Sequence, residues 1–422
     1  ASAYINLGDA LMRLDRPREA IDALRRAVAL QPSNARAQTN LGAALVKVHK
    51  LDAAVQALQK AIDLDPRLPE AHGNLGSAYL ALGRQAEAVA CHEKAVALQP
   101  GFRSGEWSVQ YLALGRFEEG WRRYLDRPTI RTATLPPHRQ PLPQDLAGLR
   151  ILLGKDQGLG DEIMFLRLAP ELKRRGAHVT YLAGAKILSL IRRASFLDAV
   201  IGEEGELPRA DMVLSVGDLP YLLAMNSPGG IPPSIELPPL PENVKAQAAA
   251  LAAVGPPPYI GVTWRGGLRE KDKLLKIAPL ERIGSVLRQV PGTLIALQRL
   301  PDKGELQKIA RAAGRPVHDF TALNDRLEDM LALLALLDEY VCVSNTNVHL
   351  RATQGKGSRV LIPSPAEFRW MASGAVSPWF PNCPLYRQDA GGSWDAALAA
   401  LAADLVAALG TAGPASDGES QS

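Results

Sequence analysis

The feature that most constrains this chain is a 34-residue step near its start. The string "NLG" begins at Asn6, Asn40 and Asn74, and the same step carries Ala20 to Ala54 and Ala88. It also carries Ala27 to Ala61 and Ala95, and Pro32 to Pro66 and Pro100. A repeating unit of this length cannot bury its apolar face alone, so its copies must stack. Small residues kept in register let paired helices approach closely, and the proline closes the second helix of each pair. The chain therefore opens as an all-α solenoid.

A fourth unit departs from the pattern. "LALGRFEEGWRRY" (112–124) echoes "LALGRQAEAVACH" (80–92) after 32 residues, with Trp121 and Tyr124 where the earlier unit has Val89 and His92. Larger rings there suit a capping repeat that packs against another domain. Residue 1 falls at the first position of a unit, which leaves open further repeats ahead of it. The Leu-Gly, Ala, Ala, Pro register resembles the tetratricopeptide repeat. In that family the first helix of each unit lines the concave face, so Asn6, Asn40 and Asn74 would form a ladder along it. An asparagine amide both donates and accepts, so such a ladder can hold an extended peptide without reading its side chains. A duplicated polar residue that only faces water is the alternative.

Bulk properties set the limits. With 422 residues and 47% hydrophobic content the chain can build several cores. A formal net charge of +4 is small for this length and gives no case for nucleic acid. The cysteines Cys91, Cys342 and Cys383 are odd in number and form no CxxC, which argues against a disulfide framework or zinc site. No apolar run reaches the roughly 18 residues of a membrane span, and no signal peptide opens the chain. These features predict a soluble, cytoplasmic protein.

After residue 126 the texture changes. Residues 127–147 are proline-rich and read as a linker. Short apolar strands then alternate with helices: 150–154, 178–183, 211–216, 259–264, 293–298, 340–344 and 359–363, with helices such as 279–290 and 326–337 between them. Such alternation predicts parallel sheets covered by helices. A second proline-rich stretch, 228–244, divides this half into domains at 148–244 and 245–410, with any ligand in the cleft between them. The last helix, 393–409, precedes a polar tail (411–422) expected to be disordered.

Two segments carry the candidate chemistry. In "LLGKDQGLGDEIMF" (152–165) a buried strand runs into a glycine turn and then a helix opened by Asp161 and Glu162. The spacing fits neither GxGxxG nor GxxxxGK[ST]. Gly158 and Gly160 let the backbone turn and approach a ligand. Asp161 is either an acid complementing the helix dipole or a functional carboxylate. In "VCVSNTNVHLRA" (341–352) a strand ends at Ser344 and a helix starts near Asn345, Thr346 and Asn347, offering N–H groups to a phosphate, with His349 close by. A satisfied, partly buried histidine is the alternative for His349. Arg265 and the basic stretch 265–276, including Lys273, either add positive charge to the cleft or form a solvated loop.

Taken together, "GLGDEIMF", "VTWRGG", a strand ending in "SNTNVHL" and "AEFRWMASGAVSPWFPNCPLYRQ" (366–388) resemble bacterial glycosyltransferases related to heptosyltransferases, glycosyltransferase family 9. The resemblance runs from about 148 to 409 and implies a GT-B fold of two Rossmann-like domains, with a nucleotide-sugar as co-substrate. It implies Asp161 as catalytic base and Gly158 and Gly160 beside the acceptor. It implies Arg265, Lys273, Ser344, Asn345, Thr346, Asn347 and His349 around the donor. No metal is implied, and the lone DxD string, Asp63 to Asp65, reads as repeat surface. The family usually has Asp-Thr where this chain has Ser344 and Asn345, which bears on the sugar. The implied activity is O-glycosylation of a protein held by the repeats, with flagellin as a possible acceptor. The alternatives are a saccharide or lipid-linked acceptor, or a scaffold whose transferase half is inactive.

Overall fold

Glycine sets the geometry of each repeat. A Cβ on Gly8 would stand 2.6 Å from Leu24 Cγ, one on Gly42 2.4 Å from Leu58 Cγ, and one on Gly76 2.3 Å from His92 Cδ2. The glycine of every "NLG" is thus the place where the first helix of a pair touches the second. In the computed structural model, which describes residues 1–102, 104–127, 138–156, 158–204, 206–266 and 277–412, the pairs are α1 (Ser2–Arg13) with α2 (Pro17–Leu30), α3 (Ala35–Lys47) with α4 (Leu51–Leu64), and α5 (Pro69–Ala81) with α6 (Gln85–Leu98). Ala20, Ala54 and Ala88, and Ala27, Ala61 and Ala95, are all fully buried, so a larger side chain at any of them would push the helices apart. The fourth pair, α7 (Ser104–Ala113) and α8 (Phe117–Tyr124), is shorter.

The chain divides into two compact units, Ala1–Pro128 with Pro365–Ala372, and Thr129–Ser364 with Ser373–Ser422. The first unit therefore gains eight residues from late in the sequence. Trp121 and Tyr124 are buried against them: the Phe368 ring lies 5.9 Å from Trp121 and 6.3 Å from Tyr124. Ala372 N–H donates to Ala113 O at 2.7 Å, and Gln85 Nε2 to Ala366 O at 3.3 Å.

The second unit holds two parallel sheets. The first has the order β3 (Ala199–Ile201), β2 (His178–Leu182), β1 (Arg150–Gly154), β4 (Met212–Ser215). The second runs β10 (Leu385–Arg387), β9 (Arg359–Ile362), β8 (Glu339–Val343), β5 (Tyr259–Thr263), β6 (Thr293–Ala296), β7 (Val317–Asp319). All pairings in it are parallel too. The closing helix, Asp395–Leu409, sets Leu398, Leu401 and Leu405 into the core that contains Ile283 and Leu287. The two sheet layers are tied by Arg193, whose guanidinium forks onto Glu328 at 2.7 and 2.8 Å.

The seven expected strands are present: 150–154 has its expected bounds, that expected at 340–344 runs one residue earlier as Glu339–Val343, and the other five are trimmed by one or two residues at an end. Three more, β3, β7 and β10, were not expected. Each has three residues, lies at a sheet edge and lacks a run of buried side chains; β7 and β10 carry no apolar string, and that of β3 is only three residues long. The helix Pro241–Val254 spans the expected boundary at 244/245, and its Asn243 and Gln247 donate to Asp329 at 2.8 and 3.3 Å. The second layer therefore begins at Pro241. Of the expected linker, 128–137 lies outside the described residues, as do Lys273 and 413–422 of the tail. The remainder is anchored: Leu142 and Leu146 are buried, and their N–H groups donate to Leu222 O and Arg175 O, each at 2.7 Å.

Candidate functional site

Parallel sheets leave crevices where the strand order reverses, beyond the carboxyl ends of the strands. The first sheet reverses between β1 and β4, the second between β5 and β8. Gly158, Gly160 and Asp161 follow β1, Arg265 follows β5, and Ser344 to His349 follow β8. The candidate residues described by the structure in this unit thus all leave switch-point strands.

The helix after β1, Leu159–Leu166, begins at an extended Gly158. A Cβ on Gly158 would lie 3.4 Å from Asp161 Oδ2, so the carboxylate folds back over the turn. On Gly160 a Cβ would come 3.1 Å from His349 Nε2 and 3.2 Å from Cδ2. The glycine turn and the histidine, 189 residues apart in the chain, are therefore in contact. Here the glycines clear room for two side chains of the site, a role sequence spacing alone did not reveal. His349 is only 2% exposed, and the Phe380 ring meets it edge-on at 5.0 Å. Nothing in the sequence singled out Phe380.

The helix Thr346–Ala352 is capped from within. Asn345 Oδ1 accepts from Asn347 N–H at 2.8 Å and from Tyr340 OH at 3.2 Å, while Asn345 Nδ2 donates to Val343 O at 2.7 Å. One of the N–H groups expected to await a phosphate is thus already engaged. Below it Tyr340 OH lies 2.8 Å from Thr263 Oγ1, and Asn347 Nδ2 reaches Asn324 Oδ1 at 3.4 Å. Burial drives the Tyr340 phenol well above its usual range, so it stays neutral in this network. Ser344 is buried as well.

Arg265 is buried rather than part of a solvated loop. Its guanidinium donates to Leu300 O and sits 3.4 Å from Glu305, and Gln298 Oε1 accepts its backbone N–H at 3.0 Å. Glu305 offsets the positive charge expected to face a donor. Beside Asp161, Glu162 is buried and accepts from Tyr181 OH. Burial raises its carboxyl above the ordinary 4.5, against the pull of Tyr181 and the Gly184 N–H.

The asparagines of the repeats differ among themselves. Asn6 is exposed on α1, and Asn40 and Asn74 are half-buried on α3 and α5. Asn40 Nδ2 donates to Asp9 of the preceding pair, which Arg36 also approaches at 3.2 Å. In the equivalent places the later repeats have Ala43 and Ser77, so this clamp belongs to the first junction alone.

Fold and side chains define a tetratricopeptide-repeat solenoid followed by an α/β unit with two parallel sheets. Residues 5–66 and 69–102 match models described as "Tetratricopeptide repeat", and 50–83 one described as "TPR repeat". The chain is similar to Protein FlbA of Caulobacter vibrioides, 25% identical over 319 residues that make up 70% of this chain and 53% of the relative. It thus spans about half the length of the curated relative it matches. Among solved structures, MamA is 29% identical over 29% of this chain and 73% of its own, at a TM-score of 0.27. YrrB, described as a TPR protein with an unusual peptide-binding site, is 28% identical over 23% of this chain and 50% of its own, at a TM-score of 0.23. Among the described residues no helix is long and apolar enough to cross a membrane.

Proposed function

We propose that the chain is a glycosyltransferase of GT-B type that moves a sugar from a nucleotide-sugar to a hydroxyl of a protein held by its repeats. The observation that carries this reading is the contact of Gly160 with the His349 ring. It joins the start of the helix after β1 to the helix after β8, so one ligand can touch both switch points.

In this reading Asp161 takes the proton of the acceptor hydroxyl as its oxygen bonds to the anomeric carbon. The bond from that carbon to the donor phosphate breaks, and the nucleotide leaves through that phosphate oxygen with the electron pair. His349, with Thr346 at the helix start, would face the developing charge; for Asn347 to join them, its N–H must leave Asn345 Oδ1. For Arg265 to join them, its guanidinium must share itself between Glu305 and the phosphate. Serine or threonine of a protein such as flagellin is the acceptor proposed, with the repeats as its receptor.

A second reading, a repeat scaffold without transfer activity, is favoured by the self-capped Asn345 and the neutralised Arg265. Thermal unfolding with UDP-, GDP-, ADP-, CMP- and dTDP-sugars separates the two. Ligand at about 100 times its dissociation constant adds roughly 2.7 kcal/mol to the state that binds it. The transferase reading expects a rise with one nucleotide class, lost in His349→Ala. A flat response to all of them leaves the scaffold.

A further inference from the structure

Arg167 follows the Leu159–Leu166 helix and is 3% exposed. Its Nε donates to Met164 O at 2.8 Å, one terminal nitrogen to Trp379 O at 2.8 Å and Pro232 O at 3.2 Å, and the other to Ser234 Oγ at 3.0 Å. All four acceptors are neutral, and a fifth N–H is left over. No carboxylate pairs with it among the described residues. Burial accordingly pushes the guanidinium down to about 10. Other buried arginines do better: Arg175 has Glu171, Arg265 has Glu305, and Arg351, bonded to carbonyls, feels the charge of Glu339. The rings of Trp379 and Phe380, 5.7 and 5.4 Å from the Arg167 guanidinium carbon, offset part of the cost without supplying an anion.

Arg167 also lines a cavity of about 780 Å³, within the range that holds small molecules. Its walls include Pro232, Pro238, Pro378, Trp379 and Phe380, stiff rings that give a shape fixed before a ligand arrives. Lys356 adds a second cation, and Glu236, exposed, is the acid among the lining residues. The cavity is bordered by residues 352–356, just past the C-terminal end of the Thr346–Ala352 helix, and neither Asp161 nor His349 lines it. We infer that this cavity is a second ligand site, distinct from the Asp161–His349 site although Phe380 touches both. It takes an aromatic or apolar body carrying one carboxylate-, sulfonate- or phosphate-type anion, which Arg167 receives.

Two dyes test this on the full chain: anilinonaphthalene sulfonate, an aromatic anion, and phenylnaphthylamine, the same ring system without the charge. The inference expects saturable binding at one site, with the sulfonate at least about tenfold tighter although it is the less apolar dye. Arg167→Gln should abolish that preference. Because this variant loses several hydrogen bonds and is at risk of misfolding, Ala335→Trp provides an independent arm by filling the cavity from a residue that takes none of the Arg167 hydrogen bonds. It should weaken the sulfonate by about tenfold or more while thermal unfolding shows a folded chain. Asp161→Asn should leave the titration as in the wild type. Equal affinity for the two dyes, a titration unchanged by Ala335→Trp, or one lost in Asp161→Asn would each overturn the inference.

Discussion

At the scale of single residues, the site depends on what is missing from Gly160. Alanine there gains about 1 kcal/mol in helix propensity, but its methyl would press on a ring already backed by Phe380, an overpacking cost of about 1–3 kcal/mol. Gly160→Ala is therefore expected to cost about 1 kcal/mol net while moving His349. The melting temperature should drop by a few degrees, and the nucleotide-sugar response should disappear. A donor response as large as wild type would show that the ring can shift at no cost. Glu162 gives a second prediction. Its folded state favours the protonated acid, so ionisation costs stability. That penalty is absent below its ordinary value of 4.5 and sets in as pH rises through the raised folded value. Glu162→Gln keeps an acceptor for Tyr181 and loses the penalty. It should melt higher than wild type near pH 7, with the gap closing near pH 4; a gap that is constant with pH would mean the carboxyl titrates normally.

Among the elements, the last repeat pair shows how far pattern reading reaches. Trp121 and Tyr124 were legible as rings that must pack on something, because they replace Val89 and His92 of the unit before. That their cover is Phe368, 247 residues downstream of Trp121, was not legible, because no local periodicity connects the two. Trp121→Ala should cost about 3–5 kcal/mol, since the ring is 1% exposed and its loss leaves a cavity on two sides. Denaturant unfolding followed in the repeat unit would measure it. A cost below about 1 kcal/mol would mean that the 365–372 segment closes over the gap. The three short edge strands teach a related lesson. Strands buried on both faces announce themselves as apolar runs, whereas β3, β7 and β10 are paired on one side only; β7 and β10 mix polar with apolar residues, and β3 is an apolar run of three half-buried residues, too short to stand out.

For the whole molecule, the proposed function requires the repeats and the α/β unit to do different work. Asn40→Ala together with Asn74→Ala should lower modification of a protein acceptor and leave the nucleotide-sugar melting response intact. Asn40 also holds Asp9, so the double variant should be compared with Asp9→Asn, which perturbs that junction and keeps both amides. Acceptor modification at the wild-type level in the double variant would reduce the ladder to surface. Equal losses in the double variant and in Asp9→Asn would assign the effect to the junction rather than to peptide contact.

The sequence alone determined the solenoid, because a fixed 34-residue register leaves stacked helix pairs as the way to bury its small and apolar positions. It determined the parallel sheets for a similar reason: apolar strings of strand length between helices have no other way to bury both faces. Only the tertiary structure decided that Gly160 lies against His349, that Arg265 is balanced by Glu305, and that Asn345 caps its own helix. These are contacts between residues far apart in the chain, or choices of hydrogen-bond partner. Periodicity records which face of an element is buried, and not which residue will meet it there.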